Sequence, residues 1–174
     1  MVDDFEGTAP SGVWTLQGDT PTISVSGGQL HITPDPQDPS WAGMVSGAYD
    51  FDECAVWVRV PVVYSNATTG FTFFQLVGDS NVQFEARDGN LEMKHMGSEV
   101  DVPYDAMAHQ WWRMREQGST LFFETSPDGL AWTTHHSVTT PSDIGSMKLG
   151  IGLVPGSGPS GPLETQFDDL NGAP

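Results

Sequence analysis

The sequence predicts an all-β chain folded as a two-sheet antiparallel β-sandwich. Short runs of strand formers recur at about 8–12 residues with turn residues between them. No window sustains a 3.6-residue apolar period over three turns, which an amphipathic helix would need. The third observation is the stretch 111–132, WWRMREQGSTLFFETSPDGLAW, which reads as an antiparallel meander with strands near 110–117, 119–126 and 130–138. Gly118 supplies a positive φ for its first turn, and Pro127-Asp128-Gly129 presets a type I turn closed by a left-handed glycine.

The other elements follow in order. Asp3-Asp4-Phe5-Glu6 is a short first strand, and Trp14–Leu16 and Thr22–Ser26 are the next two. Gly27-Gly28 turns the chain into Gln29–Thr33, a hairpin partner. Residues 34–39 hold three prolines and form a surface loop leading to Trp41. Met44–Ser46 and Tyr49–Phe51 are short strands around Gly47. Cys54–Val60 is a strong strand, with Pro61 marking its end or a sheet edge and Cys54 an inert buried thiol beside Val56, Val58 and Val60. Phe71–Val77 is apolar on both faces, as for a strand buried between two layers. Asn81–Arg87 alternates cleanly, and Asp88-Gly89-Asn90 turns it into the strand of Leu91, Met93 and His95. Met147–Val154 and Glu164–Leu170 complete the set, joined by a Gly/Ser/Pro loop over 155–162.

The 174 residues make one domain, 1–174, and 37% hydrophobic content with nine Phe and six Trp suffices for a core. A chain of this size buries roughly 70% of its unfolded surface, so it needs no staple. One cysteine, Cys54, excludes an internal disulfide and a cysteine-based zinc site. Six basic residues against 23 acidic, a formal charge of −17, argue against nucleic acid and anionic membrane as partners. No apolar run reaches the ~18 residues of a membrane span. The start and end read as those of a domain cut from, or appended to, a larger protein.

Several stretches together carry a family resemblance. They are the leading Asp-Asp-Phe, HQWWRMR at 109–115, ETSPDGLAW at 124–132 and the closing Phe-Asp-Asp-Leu at 167–170. The chain resembles the concanavalin A-like, laminin G-like jelly rolls, in particular the domains appended to large secreted bacterial proteins. The resemblance implies two stacked, curved sheets, a role in carbohydrate or cell-surface binding, and often a structural calcium. It implies an extracellular or cell-surface location, with the cytoplasm left open. Ser126–Trp132 also shares Ser, Asp, Gly and Trp with the Asp-box turn of sialidases, with glycine and tryptophan one residue early; that turn is architectural.

Hydrolases on this fold use paired carboxylates on one strand face, in a Glu-x-Asp-x-x-Glu pattern that this sequence lacks. Asp50-Phe51-Asp52-Glu53 is the nearest approach. Arg87, His95 and Tyr104 do not stand in the settings that lyases of this fold require. The expectation is therefore a non-catalytic carbohydrate-binding or surface-adhesion module. Its partner would be a polysaccharide or cell-surface glycan. The alternatives are a structural domain with protein partners and, after it, a diverged glycoside hydrolase or lyase. The candidate binding set is Trp57, Arg59, Glu85, Arg87, Lys94, Trp111, Arg113 and Arg115 on outward sheet faces, plus Trp41. Tryptophans stack on sugar faces, and charged groups bind hydroxyls. Five of the six basic residues fall in this set. Cross-strand ion pairs, such as Glu85 with Arg113, are the alternative use for such a face. Asp4, Glu6, Asp168 and Asp169 are candidate calcium ligands if the first and last strands pair. Asn66-Ala67-Thr68 matches a glycosylation acceptor.

Overall fold

The computed structural model describes residues 2–18, 22–34, 41–64, 69–156 and 164–172. The readings of most of the proline loop, of the 155–162 loop beyond Gly156 and of Asn66-Ala67-Thr68 lie outside these residues. The described strands are β1 (Trp14–Gln17), β2 (Thr22–Ser26), β3 (Gln29–Thr33), β4 (Ala42–Tyr49), β5 (Ala55–Val62), β6 (Phe71–Val77) and β7 (Val82–Arg87). They continue with β8 (Asn90–His95), β9 (Ser98–Pro103), β10 (Trp111–Gln117), β11 (Thr120–Ser126), β12 (Thr133–Thr139), β13 (Met147–Val154) and β14 (Thr165–Asp168). A 3-10 turn at Ile144–Ser146 precedes β13.

The strands form two seven-stranded antiparallel sheets, ordered β1-β4-β13-β6-β7-β8-β9 and β12-β11-β10-β5-β14-β3-β2. Alternation puts one face of each sheet into a shared core of Val56, Val58, Phe74, Phe84, Met93, Trp112, Phe123, Ile151 and Phe167, among others. Trp112 donates its indole N–H to the His109 carbonyl at 2.9 Å, so its buried nitrogen is satisfied.

Local chemistry explains the hairpins. Asp88-Gly89 and Gly118-Ser119 both lie at positive φ, the two-residue turn that matches strand twist. Met96-Gly97 does the same between β8 and β9, a hairpin absent from the sequence reading because Met96 is no turn former. The 126–131 turn is tied by Ser126 Oγ, which accepts from the Gly129 N–H, and by Asp128 Oδ1, which accepts from Leu130 and Ala131.

Four expectations change. Met44–Tyr49 lies in one strand, Ala42–Tyr49, which Gly47 does not break: it falls where the β13 register shifts between Lys148 and Gly150, and Asp50 and Phe51 follow the strand. The 3–6 segment forms only a bridge from Asp3 to Leu170, though this does place the first and last segments side by side. β5 runs through Pro61: its missing N–H falls where the β14 register slips between Gln166 and Asp168. Cys54 precedes β5 and is exposed, not buried.

Candidate functional site

The cross-strand registers of the first sheet line up Gly43, Gly152, Phe73, Glu85, Glu92 and Asp101 in one row across its outer face. A second row holds Gly150, Gln75, Gln83, Lys94 and Glu99. The face therefore grades from glycine through aromatic and amide to carboxylate. A Cβ at Gly152 would come within 2.7 Å of the Phe73 ring and 2.3 Å of the Ala42 carbonyl. The missing side chains leave room that Phe73 fills, and Phe73 is only 3% exposed although it points outward. Trp41 meets Phe73 edge-on at 5.7 Å, and Phe71 lies 6.4 Å from it. β6 is thus not buried between layers; Phe71 and Phe73 form an aromatic shelf on its outer face.

Beside the shelf stands Glu85, 3% exposed. Its Oε2 contacts Lys94 Nζ at 2.8 Å and Arg87 Nη2 at 3.1 Å, and its Oε1 accepts from the Gln83 amide. Arg87 also lies over the Phe71 ring at 4.1 Å. Lys94 reaches Glu92 at 2.5 Å. Burial raises the Glu85 carboxyl above its ordinary range, and the Glu92 charge adds to this; Lys94 and Arg87 only partly offset it. The two carboxylates that Lys94 contacts most closely do not share a strand. β7 and β8 supply one carboxylate each, opposite one another.

The candidate binding residues divide between the two sheets. Glu85, Arg87 and Lys94 lie on the outer face of the first, with Trp41 against its shelf. Trp57, Arg59, Trp111, Arg113 and Arg115 lie on β5 and β10, on the outer face of the second. Glu85 and Arg113 therefore cannot pair. Arg113 Nε instead meets Glu124 at 2.7 Å, and Arg115 Nη2 meets it at 2.9 Å. Arg113 stacks on Trp132 at 3.9 Å and Arg115 on Phe122 at 4.3 Å. Trp111 is 5% exposed. Trp57 exchanges backbone and side-chain bonds with Asn171, and its indole donates to the Gly172 carbonyl at 3.1 Å. Neither tryptophan offers an open platform.

The pairing of the two ends does not make a calcium cage. Asp168 is taken by Arg59 at 3.2 Å and by Gln29 at 3.5 Å. Asp4 accepts from the Glu6 N–H at 3.2 Å. The inward acid at this end is Asp3, which accepts from the Trp14 indole and the Ser11 hydroxyl, each at 2.8 Å. Burial raises the Asp169 carboxyl, helped by the charges of Asp168, Asp4 and Glu6. The four acids share a field, but among the described residues no three His, Cys, Asp or Glu side chains could hold a metal ion. The set does not fit a side-chain calcium site.

Sequence reasoning missed the shelf of Phe71 and Phe73, the glycine strip and the placement of Glu92 opposite Glu85. The alternation Gly150-x-Gly152 was the available signal, since a strand face without Cβ atoms invites filling from a neighbour. Which neighbour fills it depends on register.

Among the described residues no helix is long and apolar enough to cross a membrane. No family model matches the sequence, nor does any curated protein. Solved structures do match. One is a GlcNAcα1-4Gal-releasing endo-β-galactosidase from Clostridium perfringens, with TM-score 0.74 and 10% identity over 98% of this chain. This chain spans 61% of that enzyme's length. A laminarinase from Flavobacterium sp. UMI-01 gives 0.71 at 8% identity, covering 98% of this chain and 97% of that one. A Bacillus licheniformis β-glucanase gives 0.70 at 13%, covering 98% and 94%. The fold is the concanavalin A-like jelly-roll β-sandwich; nothing singles out its laminin G-like branch. The expectation of a non-catalytic module is corrected by the same finding, because these three matched structures are glycan-cleaving enzymes by name.

Proposed function

We propose that this chain is a carbohydrate-active enzyme domain working on the outer face of its first sheet. Glu85 would be the proton donor and Glu92 the second carboxylate. The observation that carries the reading is Glu85 itself, an outward carboxyl that is 3% exposed, raised by burial and opposite Glu92. A carboxyl whose titration is raised by burial suits the role of a general acid. Glu85 and Glu92 each place an oxygen on the same ammonium, at 2.8 and 2.5 Å. That sets the pair no farther apart than the about 5–5.5 Å of retaining glycosidases.

In such a reaction Glu85 protonates the glycosidic oxygen while Glu92 attacks the anomeric carbon, and the bond to the leaving sugar breaks. Glu85 then takes a proton from the water that releases the glycosyl group. Trp41, backed by the buried Phe73 ring, provides apolar surface for sugar rings near the pair. The galactosidase, laminarinase and glucanase folds support a polysaccharide as the substrate class. A polymeric glycan is met outside the cell, so the reading carries an extracellular or cell-surface setting with it.

Reducing-end release from laminarin, mixed-linkage glucan and galactan-containing glycans tests the proposal. Turnover by the wild type that is lost in Glu85→Gln supports it. No turnover on any of them, or turnover unchanged in Glu85→Gln, overturns it.

A further inference from the structure

Lys94 projects from β8 between the two carboxylates. Its Nζ lies 2.8 Å from Glu85, 2.5 Å from Glu92 and 4.0 Å from Glu99. The surroundings are unequal. Glu85 Oε2 also receives Arg87 from β7, and its Oε1 takes the Gln83 amide. Among the described residues no cation but Lys94 contacts Glu92. From β9 the facing groups are Glu99 and Asp101, both acidic, and from β6 the facing side chain is the uncharged Phe73.

We propose that Lys94 is the positioning residue of the pair: by holding one oxygen of each carboxylate, from two different strands, it sets their spacing and orientation. This rests on the reading of Glu85 and Glu92 as the reacting groups. A compact ammonium suits the place, because a point charge can sit between two oxygens of different strands where a planar fork would favour one. Lys94 keeps its own charge there. Burial works against it, but the bonds and charges of Glu85 and Glu92 outweigh burial and raise its proton affinity.

The test is a site-resolved carboxyl titration by carbon-detected NMR on the wild type, Lys94→Met, Lys94→Gln and Lys94→Arg, beside pH–rate profiles on a cleaved glucan. Loss of an opposite charge at this distance should raise the titration of both glutamates by about one pH unit or more in the Met and Gln variants. The acid limb of the kcat/KM profile should rise with it, and Lys94→Arg should restore much of the shift. Two neutral variants keep the test usable if one fails to fold. Unchanged titration of Glu85 and Glu92 in either folded neutral variant overturns the proposal. Shifted titration without turnover in any protein, wild type included, supports the positioning role and removes only the enzyme reading.

Discussion

Glu85 and Glu124 are each 3% exposed, each point outward from a different sheet, and each touch two cations. Their carboxyls nevertheless move in opposite directions. For Glu124 burial is again the largest influence and opposes ionisation. Direct bonds from Arg115 and Arg113, with the Thr134 hydroxyl, outweigh it and hold the carboxyl below its ordinary range. For Glu85 burial wins, because Lys94 is shared with Glu92, whose charge works against ionisation. Two guanidinium groups stacked on Trp132 and Phe122 close the second face. A shared ammonium and a neighbouring acid leave the first face poised. Counting charges would call the two faces alike; donor geometry and like-charge neighbours separate them.

The largest separation is expected in catalysis. Glu85→Gln should lower turnover by about 10²–10⁴-fold, the usual contribution of a general acid, with stability changed by less than about 1 kcal/mol. Glu124→Gln should leave turnover of the folded protein unaltered. Initial rates of both variants on one glucan check this, and equal losses would erase the distinction between the faces.

Stability should respond in the reverse order. Glu124→Ala removes the acceptor shared by two partly buried arginines, which should cost about 3 kcal/mol in urea unfolding. A loss below that of Glu85→Ala would show that the second face is no lock.

Acid titration of stability gives a smaller effect of opposite sign on the two faces. Glu124 is lowered from its ordinary value of 4.5, so its contribution is present above that value and lost as pH falls through the folded one. Glu85 is raised from 4.5, so its contribution is present below that value and lost as pH rises through the folded one. From pH 4 to 7 the stability of Glu85→Gln relative to wild type should therefore rise. That of Glu124→Gln should fall with increasing pH at the acid end. Unfolding free energies measured from about pH 2 to 7 decide it, since the Glu124 window lies below 4.5; the same sign for both variants would contradict the assignments.

The smallest effect concerns the stacked rings. Trp132→Ala removes the surface beneath Arg113 and should cost about 1 kcal/mol of cation–π contact, read as a shift in the urea midpoint. No shift would mean that the Glu124 bonds alone hold Arg113.

Much of the fold was legible along the chain. β2, β3, β6 and β13 coincide with runs of strand formers between turn residues, and the strands of the 111–132 meander differ only at their ends. β9 was not legible, since Ser98–Pro103 is acidic and its turn rests on Met96 at positive φ. Among the site residues, alternation correctly sent Glu85, Arg87, Lys94, Arg113 and Arg115 outward. It could not say that they lie on two different sheets.

The sequence by itself determined the class of fold, because residue alternation and turn chemistry act over a few neighbouring residues and need no partner. Where a strand alternates cleanly, as Asn81–Arg87 does, it also determined which side chains leave the core, through the same period of two. Only the tertiary structure decided which of those side chains meet. Register across strands far apart in the chain set Gly152 beside Phe73, Phe73 beside Glu85, and Glu85 beside Glu92. Proton affinity follows from that company, since desolvation and neighbouring charge are properties of a place and not of a residue type.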